Sequence, residues 1–456
     1  MSHLFFRGQT QRLPTLLLGL LLCGGCRSYA PAPIHWSREA AEWSASAPPR
    51  APLTLAEARQ IALILNPEIN ALRLKRLSSE KQAQAAGWWE DPALGLDASR
   101  VLRGGPHPWI LGSGLSFTLP LTGVPGLEKR AALAYAQADA LAVTAAEREL
   151  IAEVDRLWLG CRTDSRCAVA QQDYAARLQS REQTARALIA AGELPRAEGD
   201  RIAQERIRLE LECACCGTET IARRQALLRR LGLHPSAPLE LAEESGAASS
   251  DNRASPSGPL PSSDLDLVRH PRVREALARF AAGEEALRAE IRKQFPDLET
   301  GPLFGHEEGT GRLGASLGFT LPLWNRNRKG VASAEGTRDA ARLEARNVWR
   351  GLVAEWHEAR RLLQTAEAKE QRIRETQLPE AQRAAEQTER LFRQGEADVL
   401  ALLAADETLY NAQEALIEAQ RTLGEARIRL DLLRIPNEEP APACRAASGA
   451  KRIRRQ

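Results

Sequence analysis

The side chains able to do chemistry are few and unevenly placed. Cysteines stand at Cys23, Cys26, Cys161, Cys167, Cys213, Cys215, Cys216 and Cys444. Cys26 closes an apolar run, Leu13 to Gly25, behind Arg7 and Arg12. That run is too short to span a bilayer and has the plan of a secretory leader. It ends Leu22-Cys23-Gly24-Gly25-Cys26, small residues directly before a cysteine, in the manner of a bacterial lipobox. Residues 1–25 are therefore expected to be a signal peptide and Cys26 the lipidated residue. Arg27, rather than Asp, follows it and favours sorting to the outer membrane.

Three chemistries are open to the other cysteines. In an oxidising compartment a disulfide comes first. Cys167 lies 25 residues before Gly192 and Cys216 lies 24 after it. If the chain turns at Gly192 they are nearly level, which allows Cys167–Cys216 or Cys167–Cys215. Soft-metal binding by Cys213-Ala214-Cys215-Cys216 is the second, although no familiar zinc spacing is present. Packing as small apolar side chains is the third. His107 and His306, the latter beside Glu307 and Glu308, fall in expected strand–strand loops and read as solvated residues in preference to a weak metal contact. No Ser/His/Asp set, phosphate loop, paired metal motif or Gly-x-Gly-x-x-Gly is present, so the chain is expected not to be an enzyme, with no catalytic residue, no cofactor and no resident metal.

The elements that would position these residues are marked by one phrase used twice, Phe117-Thr118-Leu119-Pro120-Leu121 and Phe319-Thr320-Leu321-Pro322-Leu323, 202 residues apart. Each closes a stretch of strict alternation. Leu111, Ser113, Leu115, Phe117, Leu119 and Leu121 alternate with Gly112, Gly114, Ser116, Thr118 and Pro120; Leu313, Ala315, Leu317, Phe319, Leu321 and Leu323 do so with Gly314, Ser316, Gly318, Thr320 and Pro322. Period two over this length specifies a β-strand with two unlike faces. Other landmarks recur at nearly the same offset: Asn66-Pro67 with His270-Pro271 and Asp91-Pro92 with Phe295-Pro296 at 204, Gly192 with Gly395 at 203. The chain is a tandem duplication.

Around each strand pair the pattern is helical. Thr54 with Glu57 forms a capping box for a first helix, which Asn66-Pro67 interrupts. Residues after Val124-Pro125-Gly126 read as one helix to Ala191, and Gly192-Glu193-Leu194-Pro195 as a corner before a returning helix from about Arg196 to Arg230. In the last helix Ala405, Leu409, Ala412, Leu416, Ala419, Leu423, Ala426, Leu430 and Leu433 form a heptad seam of alternating small and large residues. Aromatics at 5% and charged residues at 27% suit long coiled-coil helices better than a globular enzyme. A net charge of +3 is too balanced to imply nucleic acid, and Lys451 to Arg455 read as a solvated tail. The expected organisation is a signal peptide (1–25), a lipidated tether (26–52), repeat 1 (53–235), a Ser/Pro/Gly-rich linker (236–264), repeat 2 (265–435) and a disordered tail (436–456).

Strands of about ten residues are long enough to cross a bilayer as a tilted barrel. Their apolar face suits lipid and their small or polar face a lumen. Trp88, Trp89, Trp109 and Trp324 stand at strand ends, where interfacial aromatics belong. Two strands per repeat give four per chain, fewer than the smallest barrels of about eight, so the chain must oligomerise.

At this point the sequence resembles the TolC-like outer-membrane efflux proteins. The resemblance rests on Leu53-Thr54-Leu55-Ala56-Glu57-Ala58 with Asn66-Pro67-Glu68, on the strand–corner–long-helix order, and on the hairpin tips at Gly192 and Gly395. Leu321-Pro322-Leu323-Trp324-Asn325-Arg326-Asn327-Arg328-Lys329-Gly330 is similar to the corner of the cobalt–zinc–cadmium efflux channels. Gly395-Glu396-Ala397-Asp398-Val399-Leu400 is similar to that subgroup's second tip. The fold this implies is mostly α with a membrane β-barrel portion: two tandem β-β-α-α repeats, a homotrimeric twelve-stranded barrel, and a twelve-helix periplasmic coiled-coil tunnel. It further implies a periplasmic membrane-fusion adaptor at tips marked by Gly192, Gly395 and Asp398, an inner-membrane RND pump, and passive export of divalent heavy-metal cations, with drug efflux or type I secretion as the alternative. Coiled-coil pairs would close the periplasmic end and shift apart when the adaptor docks. For Trp324 to Arg328 two roles are open. A cationic ring would repel cation cargo, so the favoured role is structural, with Asn side chains capping the next helix and Arg side chains binding carboxylates or lipid headgroups.

Overall fold

The computed structural model describes residues 29–45, 52–100, 102, 109–242, 258–307 and 310–436. The expected signal peptide, Cys23, Cys26, His107, Glu308, Cys444 and the tail from 437 onward lie outside the described residues. Helix α1 (Trp36–Ala45) belongs to a unit of its own, residues 1–47, and is exposed along its length.

In the second unit each repeat begins with a polar side chain that serves two helix ends at once. The expected capping box is present: Glu57 N–H donates to Thr54 Oγ1 at 3.3 Å and Thr54 N–H to Glu57 Oε2 at 2.9 Å. It opens α2 (Leu55–Leu65), and α3 (Pro67–Ala85) follows. Between them, Asn66 Oδ1 accepts from the N–H groups of Glu68 and Ile69 at 2.9 and 3.2 Å, while its Nδ2 donates to Arg230 O at 3.1 Å. In repeat 2 an imidazole has that job. His270 Nδ1 accepts from Arg272 N–H at 3.4 Å and Nε2 faces Leu432 O at 3.2 Å. Those contacts fix the tautomer with the proton on Nε2. His270 is buried, and burial pushes its pKa down to about 4.

Strands β1 (Ala93–Arg100) and β2 (Trp109–Leu119) lead into α4 (Val124–Ala191) and the returning α5 (Arg196–Leu231). With 68 residues, α4 reaches about 100 Å at the usual helical rise. Repeat 2 reproduces the order with α6 (Pro271–Arg292), β3 (Leu298–Glu307), β4 (Thr310–Phe319), α7 (Arg328–Arg372), α8 (Leu378–Arg393) and α9 (Val399–Leu432). The copies differ in two respects: a 3-10 turn, Asp266–Arg269, stands where repeat 1 has α2, and a π turn, Ile373–Gln377, separates α7 from α8. Pro379, next to it, lacks the N–H an unbroken helix would use there.

The four strands make one antiparallel sheet in the order β1-β2-β3-β4, so β2 and β3 join the repeats and β1 and β4 are left as edges. Two larger cores lie where the helix pairs meet. Ile61, Val154, Trp158, Leu227 and Leu231 fill one, and Val273, Leu352, Trp356, Leu430 and Leu433 the other. The heptad seam holds in the later part of α9, where Ala412, Ala419, Leu423, Ala426 and Leu430 are buried. Toward the tip the buried line moves to Val399, Leu402, Asp406 and Tyr410, leaving Ala405 and Leu409 half-buried. A straight helix of 3.6 residues per turn drifts off a seven-residue stripe, and α9 packs against α4 as well as its hairpin partner.

Candidate functional site

The register of the sheet decides what its two faces are. Residues directly opposite across a ladder share a face. Leu94 pairs with Leu115, Ala98 with Leu111, Phe117 with Thr300, Leu119 with Leu298, Leu298 with Phe319 and Phe304 with Leu313. One face thus carries Leu94, Leu96, Leu111, Leu115, Phe117, Leu119, Leu298, Phe304, Leu313, Leu317 and Phe319 across all four strands, with Ser113, Thr300 and His306 among them. The other carries Gly95, Asp97, Gly112, Gly114, Ser116, Glu299, Gly301, Gly314, Ser316 and Gly318, with Ile110 and Leu303 as its large apolar exceptions. Most of the apolar set is exposed, Leu96 at 74% and Leu313 at 76%. The sequence reading assigned faces only to β2 and β4; β1 and β3 carry the same alternation in Leu94-Gly95-Leu96-Asp97-Ala98 and, less regularly, from Leu298 to Phe304. Strands β2, β3 and β4, of 11, 10 and 10 residues, have the length of a tilted membrane crossing, and β1 is shorter at 8.

Exposed tryptophans mark both ends of the strands. Trp88 and Trp89 precede β1 and Trp324 follows β4 on the helix side, and Trp109 opens β2 on the far side. Arg100 lies 5.8 Å from the Trp109 ring centroid, within cation–π range. His306 is a strand residue, opposite Leu111 and Gly311, and not part of a loop as its position suggested. Among the described residues no cluster of His, Cys, Asp or Glu is arranged to hold a metal ion, and no helix is long and apolar enough to cross a membrane.

The corner between β4 and α7 corrects one expectation. Asn327 occupies the N-cap position, but its side chain does not cap α7. Its Nδ2 donates to Glu290 O at 2.9 Å and Glu290 Oε2 at 2.7 Å, tying the corner to α6. Arg326 and Asn327 are both left-handed, with φ 45° and 50°, and that backbone aims the amide away from the helix end. Arg326, Arg328 and Lys329 are exposed.

At the opposite end the hairpin tips are built alike. Gly192 and Gly395 have φ 78° and 77°, a region costly for residues with a Cβ. Each is followed by a glutamate whose N–H returns to a carbonyl in the preceding turn, Glu193 to Leu188 and Glu396 to Leu391, both at 2.9 Å. Those bonds close the outgoing helix of each hairpin in a Schellman-type end. Asp398 caps α9 by accepting from Ala401 N–H at 2.7 Å. The tips meet in one apolar cluster of Ala185, Ile202 and Val399 with Leu194, Phe392 and Leu403 around it.

Just above this cluster an ionic clamp joins the two repeats. Arg181 of α4 donates to Asp406 of α9 at 2.9 Å and to Glu389 of α8 at 2.6 Å, and Arg177 lies 3.5 Å from the same Asp406. Asp406 is buried. Burial works against the Arg181 charge, but the bonds to Asp406 and Glu389 outweigh it and raise its pKa further. Tyr174 and Tyr410 stack beside the clamp with centroids 4.5 Å apart, and Tyr174 Oη donates to Glu205 at 3.0 Å. Sequence reading missed this set. The only available signal is Asp406, an acid on a line of otherwise apolar residues.

Cys161, Cys167, Cys213 and Cys216 carry free thiols here, and the Cys215 side chain lies outside the described residues. They do gather on α4 and α5. The buried Gln171 side chain accepts from Cys213 Sγ at 3.4 Å and reaches Cys216 Sγ with Nε2 at 3.7 Å. Burial, with Glu414 and Asp164 nearby, pushes the Cys167 thiol up to about 11, and burial does the same to Cys161.

Comparison with known proteins bears on this geometry. Residues 263–433 match the family described as outer membrane efflux protein. No curated protein matches the chain. Among solved structures it is similar to CusC, studied for conformational changes accompanying folding and transmembrane channel formation, at TM-score 0.70 and 17% identity over 83% of this chain and 91% of that one. It is similar to the MtrE outer membrane channel of Neisseria gonorrhoeae, solved in its open state, at TM-score 0.70 and 20% identity over 83% and 88% of the two chains. The outer membrane protein VceC of Vibrio cholerae is similar at TM-score 0.68 and 16% identity over 83% and 96%. The second repeat thus matches the outer membrane efflux protein family in sequence, and over 83% of its length the chain has the fold of these solved channel proteins.

Proposed function

We propose that this chain is the outer-membrane channel subunit of a tripartite efflux system, a passive conduit for divalent heavy-metal cations. The channel part rests on one observation, the four-stranded sheet with a predominantly apolar face and two open edges. Unpaired edges are not tolerated in lipid, and four strands cannot close on themselves. Copies must pair edge to edge, and three copies reach the twelve strands of the family's trimers. The Gly/Ser face then lines the lumen, and α4, α5, α7, α8 and α9 continue the wall into the periplasm. Family channels work with a periplasmic adaptor and an inner-membrane pump. Here the tips at Gly192, Gly395 and Asp398 face the adaptor, and the pump is of the RND class. The barrel sits in outer-membrane lipid, with Cys26 acylated as a second anchor.

The Arg181–Asp406–Glu389 clamp holds the two hairpins of one chain together at the periplasmic end, so opening requires it to part. The cargo assignment rests on the Leu321 to Gly330 corner motif. Two experiments separate the levels. Protein extracted from the outer membrane in mild detergent should have the native mass of a trimer; monomers would sink the channel reading. A deletion strain should become sensitive to zinc, cobalt, cadmium, nickel or copper and not to dyes and detergents. The reverse pattern would transfer the assignment to drug efflux.

A further inference from the structure

The α4–α5 hairpin packs in layers spaced by one heptad. Glu153 of α4 meets Arg230 of α5 at 2.8 Å. Seven residues further along α4 and seven back along α5, Gly160 faces Arg223, so closely that a Cβ at Gly160 would lie 2.8 Å from Arg223 Cδ. Two such steps on, Tyr174 and Leu209 share one buried cluster. The layer between is Cys167 opposite Cys216, and the contacts from Gln171 to Cys213 and Cys216 hold the same register. In this register Cys161 stands opposite Ala222 and Cys213 beside Gln171. Among the described cysteines, this register sets Cys167 and Cys216 opposite each other in one layer.

We infer that Cys167 and Cys216 are an oxidisable pair, closed to a disulfide when the chain folds in the periplasm, that staples α4 to α5 between the clamp and the first core. The compartment is that of the channel reading, on which this inference rests. Disulfides need Cα atoms about 4.4–6.8 Å apart, and paired helices come this close where the facing side chains are small, as Cys167 and Cys216 are. The oxidant is a thiol–disulfide oxidoreductase in its disulfide form. The thiolate of one cysteine attacks a sulfur of the oxidant's disulfide and expels one oxidant thiolate, giving a mixed disulfide. The second cysteine's thiolate then attacks the chain's sulfur in that bond and expels the other oxidant sulfur. Two protons leave the chain's thiols and two electrons pass to the oxidant, which departs as the dithiol. Because burial and carboxylates hold the Cys167 thiol protonated once packed, its attack belongs to the unpacked chain.

The test uses full-length protein from outer membranes, denatured under a first alkylating agent, then reduced and treated with a second, and read by mass spectrometry. The second label should appear at Cys167 and Cys216 in wild type. In Cys167→Ser it should vanish from Cys216, and in Cys216→Ser from Cys167. Full first-label modification of both residues overturns the inference, as does second label at Cys213 or Cys161 in their place, or protection released by a metal chelator without reductant. The fraction in which the protein is found tests the channel reading separately. Outer-membrane trimers with free Cys167 and Cys216 would refute the staple alone, and absence from the outer membrane would refute the channel.

Discussion

At the scale of single residues, Asn66 and His270 offer a controlled comparison, since each caps one helix and holds the end of another. The asparagine has no proton to gain; the imidazole loses its accepting nitrogen if protonated. With the folded pKa down at about 4 against an ordinary 6.5, both folded and unfolded chains hold a neutral imidazole at pH 7. Between those values the unfolded chain takes up a proton that the folded chain refuses, so stability falls as pH drops through the window. The full loss is on the order of 3 kcal/mol, from about 1.4 kcal/mol per unit of pKa difference. Denaturant titrations of the solubilised protein should show this loss between pH 7 and pH 4. His270→Asn should keep near-native stability at pH 7 and flatten the dependence; an unchanged slope would assign it to other groups. The landmark offset of 204 already set His270 in register with Asn66 in the sequence. That a ring could replace an amide at both of its bonds was not legible, because the second partner, Leu432, lies 162 residues away.

Among elements, the strands were readable and the clamp was not. Alternation is a property of neighbours in sequence, so the faces of β2 and β4 could be assigned from Leu111 to Leu119 and from Leu313 to Phe319. The Arg181 network depends on which helices come together, and arginines are too common in this chain to single one out. Asn327 shows a different limit. Its identity fits an N-cap, but its left-handed backbone sends the amide to Glu290. The clamp makes a sharp prediction. Removing one partner of a buried ion pair costs about 3–5 kcal/mol because the other charge is left unpaired. Asp406→Ala leaves Arg177 and Arg181 both short of an acceptor. It should loosen the tip while the sheet still forms, raising single-channel conductance in planar bilayers several-fold. Conductance equal to wild type would mean that the clamp is not what holds the end closed.

For the whole molecule, the duplication says how one copy should meet the next. Inside the chain, β2 of repeat 1 pairs with β3 of repeat 2, and the corner after β2 touches the segment before β3, where Thr122 Oγ1 donates to Asp297 at 3.0 Å and Lys293 reaches Glu128 at 3.1 Å. Between chains, β4 should pair with β1 of the next copy, bringing the corner after β4 against the segment before β1. That corner offers Arg326, Arg328 and Lys329; the segment offers Glu90 and Asp91, both exposed. Reversing the corner charges (Arg326→Glu with Arg328→Glu) should lower the trimer fraction recovered from membranes at low salt. Adding Glu90→Lys and Asp91→Lys in the same chain should restore it. Failure of the double exchange to rescue would place these charges elsewhere in the assembly.

The π turn beside Pro379 has a consequence for symmetry. The two repeats share a plan, so the proposed ring of three chains looks at first like six equivalent hairpins. One hairpin in each chain has an outgoing helix continuous over 68 residues, and the other is jointed partway down. Stiff and hinged arms therefore alternate around the axis. Any motion that widens the periplasmic mouth must be threefold, with three fixed posts and three moving leaves, and the aperture it passes through is a triangle before it is a circle.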